Sequence, residues 1–135
     1  MTQSISSFRE LRVWQAAMKL VERVYRTTDS FPRHELGGLG GQMQRAGVSI
    51  PSNIAEGHTR EHLGEYLHHV SIAHASLAEL QTQIEIATRL GYIHADIAEE
   101  LQDDTTSLSK QLYALRNSLS KRPPSANTQH LTPIP

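Results

Sequence analysis

The sequence predicts an all-α fold: an antiparallel up-down-up-down four-helix bundle with a disordered C-terminal tail. Three observations carry this. Apolar residues recur at alternating steps of three and four in four successive segments, the spacing that lines one face of a helix. The connections between segments are a few residues long, which leaves consecutive helices antiparallel. No segment alternates apolar and polar residues over a useful length, as a half-buried strand would. The bundle spans residues 1–120, with helices at about 8–28, 32–56, 60–90 and 95–120, and the tail spans 121–135.

The first helix opens on Ser7 and Glu10, an S-x-x-E capping box, and its seam is Leu11, Trp14, Met18, Val21 and Tyr25. Asp29-Ser30-Phe31-Pro32 ends it. The second starts at Pro32, which a first helical turn tolerates, and carries Leu36, Leu39, Met43, Ala46 and Ile50 until Gly57 stops it. The third keeps the rhythm longest, through Leu63, Tyr66, Val70, Ala73, Leu77, Leu80, Ile84 and Ala87, and ends at Gly91. The fourth follows with Ala98, Leu101, Thr105, Leu108, Leu112, Leu115 and Leu119. Asp96, Glu99, Glu100 and Asp103 crowd its early turns, where the helix dipole favours negative charge. If the first turn centres near Ser30 and Phe31, Trp14 lies opposite Gly47, and the glycine makes room for the indole. In the tail, Pro123, Pro124, Pro133 and Pro135 stand among Ser, Asn, Thr and Gln, a composition that neither continues a helix nor buries a core.

Composition excludes several classes of function. With 13 Lys and Arg against 14 Asp and Glu, net −1, the chain is no polycation. No apolar run approaches the ~20 residues of a membrane span, and no charged-then-apolar signal segment opens the chain. The absence of Cys removes disulfides, thiolate zinc and cysteine nucleophiles and fits a cytoplasmic location. Charge is nonetheless uneven: residues 1–60 carry 8 basic and 5 acidic groups, whereas residues 61–120 carry 3 and 9. At 100° per residue, Arg9, Arg12, Lys19, Arg23 and Arg26 fall within about 100° of arc, opposite the Leu11–Tyr25 row. Such a stripe could track phosphates. An ordinary solvated face, or contact with the acidic fourth helix of another subunit, explains it as well. Val13, Ala17 and Val24 in the first helix, with Ile72 and Ile86 in the third, lie outside each seam and are candidates for a second packing surface.

The least ordinary stretch is Ser49-Ile50-Pro51-Ser52-Asn53-Ile54-Ala55-Glu56-Gly57. Pro51 inside a helical pattern removes one hydrogen bond and clashes with the carbonyl four residues back. That residue is Gly47, and Ser49 and Ser52 could bond the freed backbone groups, so a kinked helix is expected rather than a break. Asn53 falls on the seam phase, and Glu56 lies at the helix end that disfavours an anion. Both are therefore expected to be buried and bonded to neighbouring helices, as an inter-helix polar lock.

Phe8…Leu11…Val13-Trp14-Gln15, Phe31-Pro32…Glu35…Gly38-Leu39…Gln42…Arg45-Ala46 and Val48 through Gly57, continued by Ala73…Ser76…Glu79-Leu80…Leu90-Gly91-Tyr92, resemble the four helix bundle protein family over roughly residues 8–119. Members of that family include proteins encoded within intervening sequences of bacterial 23S ribosomal RNA genes. Relatives include the accessory variability protein of diversity-generating retroelements. The resemblance implies a homopentameric ring of four-helix protomers that binds RNA or DNA and, in that relative, a nucleic-acid-processing protein, the reverse transcriptase. Two departures stand out. After Ala-Glu-Gly the family is basic, whereas His58-Thr59-Arg60-Glu61-His62-Leu63-Gly64-Glu65 offers one arginine and two glutamates; and Ala75-Ser76 replaces a Gly-Ser pair.

Other signatures fail their context. His58, His62, Glu65 and His69 have helical spacing, but His58 precedes the third helix, and Glu65-x-x-His68 has no second E-x-x-H to complete a di-iron pair. No metal or cofactor is expected. Gly37, Gly38, Gly40 and Gly41 follow no strand, so they form no phosphate loop; they loosen the second helix or admit a close neighbour. The function expected is a non-enzymatic oligomeric scaffold that engages nucleic acid or a ribonucleoprotein through the basic first helix. The alternative is a protein-interaction adaptor.

Overall fold

The computed structural model describes residues 7–122. Among them lie four α-helices: α1 (Arg12–Thr28), α2 (Leu39–His58), α3 (Leu63–Arg89) and α4 (Ala95–Ser120). Each packs on its sequence neighbours, and α1 closes the bundle against α4. The predicted tail falls outside the described residues, apart from Lys121 and Arg122.

The seams of α3 and α4 match the spacing. Leu63, Tyr66, Val70, Ala73, Leu77, Leu80, Ile84 and Ala87 are all buried, as are the α4 positions except half-buried Leu115. Gly91 ends α3 with a left-handed φ of 81°. The Tyr92 N–H bonds the Ala87 carbonyl at 2.9 Å and the Gly91 N–H bonds Thr88 at 3.0 Å, the paired closure that satisfies a helix's last carbonyls.

In α1 the seam is rotated from the predicted one. Val13, Ala17, Leu20, Val24 and Thr28 are buried, while Met18 is 36% and Tyr25 46% exposed. Val13, Ala17 and Val24 are thus core, not a second surface, and the Leu11–Tyr25 row lies at the edge. The buried row is the one that packs between α2 and α4, and ion pairs at the α4 side accompany it, each worth at most about 1 kcal/mol at this exposure. Arg23 donates to Glu100 and to Asp104 of α4, each at 2.6 Å, with the basic flank turned toward α4 and the far edge of the apolar arc turned outward.

The start of α1 and its turn to α2 also differ from expectation. Ser7 accepts from the Arg9 N–H at 3.1 Å, but it caps a single 3-10 turn, Phe8–Glu10, while Leu11 precedes α1 without a side-chain cap. Pro32 leads into another 3-10 turn, Arg33–Glu35, and α2 starts only at Leu39. Leu36 is therefore half exposed and outside the seam. The longer turn shifts the register: Gly47 faces Val21 and Val24, with 3.9 and 4.0 Å from a modest added Cβ position to their methyls, and Trp14 packs edge-on against Phe8 instead.

The glycines at the start of α2 admit the chain's own turn. A Cβ at Gly41 would lie 2.8 Å from the Leu36 carbonyl oxygen, and one at Gly40 3.0 Å from that of Glu35. Glu35 caps the helix: its carboxylate accepts from the Leu39 N–H at 2.9 Å and from the Tyr92 hydroxyl at 3.1 Å. This fastens the α1–α2 turn to the α3–α4 turn.

Candidate functional site

The Ser49–Gly57 block remains helical through buried Pro51, and its Ser49 and Asn53 side chains face α3. Ser49 Oγ lies 2.8 Å from Ser76 Oγ. One turn on, Asn53 donates to the Ser49 carbonyl at 2.9 Å and to Ser49 Oγ at 3.1 Å, and its Oδ1 lies 2.9 Å from His69 Nδ1. Asn53 Oδ1 can only accept, so Nδ1 of His69 carries the hydrogen. His58 Nδ1 and the Tyr66 hydroxyl, 3.1 Å apart, complete the ladder. Burial pushes the Tyr66 phenol above its ordinary value, opposed by the nearby charge of Arg122.

This is an inter-helix lock, with corrections, the first being that Asn53 is half-buried rather than buried. Glu56 is not buried: its side chain is 58% exposed and stands 3.8 Å from His69 Nδ1, because the helix end at this point faces solvent. Ser52 is exposed. Gly57 does not stop α2, which runs to His58. A Cβ there would lie 2.9 Å from His69 Cβ and from Tyr66 Cδ1, so this glycine sets how closely the two helices approach. The partners Ser76, His69 and Tyr66 carry no motif of their own. Antiparallel pairing would have found them, since 49 with 76, 53 with 69 and 58 with 66 are nearly symmetric about the turn near residue 62.

The five basic residues do not form one stripe. Arg9 belongs to the 3-10 turn, its guanidinium over the Phe8 ring at 4.7 Å. Arg12 and Lys19 flank an open groove of about 540 Å³ that Gln111 and Ala114 of α4 line from the other side. Arg23 is held by Glu100 and Asp104, and Arg26 lies 3.7 Å from Glu22. Contact between basic α1 and acidic α4 thus occurs within the chain at Arg23. Among the described residues no group of three His, Asp or Glu is placed to hold a metal: His58 is turned to Tyr66, and His69 to Asn53. No helix among them is long and apolar enough to cross a membrane.

The model of the 23S rRNA-intervening sequence protein family matches residues 9–114, which contain the whole α2–α3 lock. The chain belongs to this family. A solved structure from Bacteroides thetaiotaomicron, a protein with unknown function from the S23 ribosomal protein family, superposes with a TM-score of 0.73 at 21% identity. The alignment covers 78% of this chain and 95% of that one, which supports the shared four-helix fold. No curated protein matches the sequence. In this member of the 23S rRNA-intervening sequence family, the Ser-Ile-Pro-Ser-Asn-Ile-Ala-Glu-Gly block has a physical account. Ser49 and Asn53 provide the bonds, and Gly57 the closeness, that hold α2 against α3.

Proposed function

We propose that the chain is a non-enzymatic, homo-oligomeric scaffold, assembled as a ring, that engages nucleic acid or a ribonucleoprotein. The observation that carries the assembly is the second apolar row of α1. Trp14 and Val21 are half-buried at the edge of the core, and Met18 and Tyr25 are more than a third exposed. Val48 of α2, one turn beyond Gln44, is likewise 41% exposed. Large apolar side chains exposed along one flank of a helix mark a candidate interaction face. A closed ring sets this row against a different face of the next subunit, a heterologous, head-to-tail contact rather than a two-fold one. The number five comes from the family resemblance.

For nucleic acid the support is Arg12 and Lys19, which form no ion pair with another described residue. Arg23 is occupied by carboxylates and contributes little. The test is fluorescence anisotropy of a labelled single-stranded RNA across a salt series. Binding should weaken steeply with salt, and Arg12→Ala with Lys19→Ala should reduce the log–log slope by about 1.4, at ~0.7 per phosphate contact. Absence of binding at low salt, with a protein partner retained at physiological salt, would replace this role with that of a protein-interaction adaptor.

A further inference from the structure

The end of the bundle where α1 and α3 begin and α2 and α4 finish carries a half-open cleft, separate from the α1 groove, with His58 and Tyr66 of the lock in its wall. Its volume is about 760 Å³, within the range of small-molecule sites. Arg9, Arg60 and Arg122 line it, together with His58, Tyr66 and Ser118, and among the described residues no Asp or Glu does. None of the three arginines forms an ion pair with another described residue.

Helix dipoles explain only part of this convergence. Arg60 and Arg122 stand just beyond the C-terminal ends of α2 and α4, where cations are favoured. Arg9 is different, because it precedes the N-terminus of α1, the end that disfavours a cation. Its position over the Phe8 ring, which Trp14 packs edge-on at 5.3 Å, directs it to this end of the bundle. The Tyr66 hydroxyl meanwhile holds His58. Three guanidinium groups around one cleft repel one another until an anion joins them, and guanidinium pairs bidentately with phosphate oxygens.

We propose that this cleft binds a terminal phosphate monoester, as carried by a nucleotide or by the 5′ end of an RNA strand. The site rests on the nucleic-acid reading above and narrows it to a strand end. Arg9 thereby acts with Arg60 and Arg122 rather than with Arg12 and Lys19.

The experiment compares two 3′-fluorescein RNA oligonucleotides of one sequence, with a 5′-phosphate or a 5′-hydroxyl, by anisotropy. Wild type should bind the phosphorylated strand at least about fivefold tighter. Arg60→Ala with Arg122→Ala should remove that preference. Arg12→Ala with Lys19→Ala should weaken both strands alike and keep it. Competition by AMP would assign the monoester alone as sufficient, and preference without AMP competition would assign the strand end. Equal binding of the two strands by wild type would overturn the cleft and leave the nucleic-acid reading standing. If neither strand binds, that reading fails, and thermal shift with AMP decides the cleft. A shift abolished by the Arg60/Arg122 variant upholds the cleft, and no shift overturns it. Circular dichroism checks that each variant is folded.

Discussion

Gly57→Ala and Gly47→Ala make the same change twice in α2 and should move stability in opposite directions. In a helix interior Ala is worth up to ~1 kcal/mol over Gly, so both variants begin with a gain. At Gly47 the new methyl meets Val21 and Val24 at 3.9 and 4.0 Å, ordinary contact, and the gain is kept. At Gly57 it would stand 2.9 Å from two carbons of α3 and 3.3 Å from the Tyr66 carbonyl oxygen. Carbon pairs prefer about 3.5–4.0 Å. His69 Cβ is attached to the backbone and cannot rotate aside, and the Tyr66 ring is tied through its hydroxyl to His58. The helices must therefore part, at an overpacking cost of about 1–3 kcal/mol. The Asn53–His69 bond one turn away lengthens with them. Net, Gly57→Ala should lose about 0.5–2 kcal/mol and Gly47→Ala gain about 0.5–1 kcal/mol. Urea denaturation followed by far-UV circular dichroism measures both. A Gly57→Ala chain as stable as Gly47→Ala would refute close approach of α2 and α3 at Gly57.

Asn53→Ala removes the bonds to Ser49 and His69 and leaves partly buried groups without partners, which should cost about 1–3 kcal/mol in the same urea assay; a loss within error of zero would dissolve the lock. The Leu39 N–H holds the Glu35 carboxyl below the ordinary 4.5, partly opposed by burial and aided by the Tyr92 hydroxyl. Its contribution is therefore complete above pH 4.5 and is lost as pH falls through the lowered folded value. Urea midpoints of wild type should fall more steeply below pH 4.5 than those of Glu35→Gln; parallel profiles would contradict the cap. Burial, with the charge of Arg116, pushes the His74 imidazole below 6.5, so the unfolded chain takes up the proton first. Stability should decline as pH falls from 6.5 through the folded value, and His74→Asn should flatten that part of the profile.

How much of this was legible in the sequence differs from helix to helix. α3 and α4 each carry one dominant apolar row, so spacing alone selects the buried face. α1 carries two rows of the same spacing, Val13-Ala17-Leu20-Val24 and Leu11-Trp14-Met18-Val21-Tyr25. Residue size favours the second, whereas packing against both α2 and α4 buries the first, with Arg23 paired to residues 77 and 81 positions away. Periodicity within a helix contains no information about that pairing. The α1–α2 turn is longer than Pro32, which suits a helix start, suggests, because Glu35 caps the Leu39 N–H four residues on. In the lock, the polarity of Asn53 announced a partner, and its phase pointed to another helix. The exposure of Glu56 depends on where α2 ends relative to α3, which spacing within α2 leaves open. Arg9, Arg60 and Arg122 are remote in sequence and meet only because an antiparallel bundle brings those helix ends together.

The oligomeric state tests the scaffold most directly. Light scattering of the full chain at micromolar concentration should give a mass near five times 15.1 kDa. Met18→Glu with Tyr25→Glu charges the exposed row of α1 without entering the core, and that variant should scatter as a folded monomer. A wild-type monomer, persisting at low salt, or a double variant that keeps the full assembly mass, would contradict a ring built on this face.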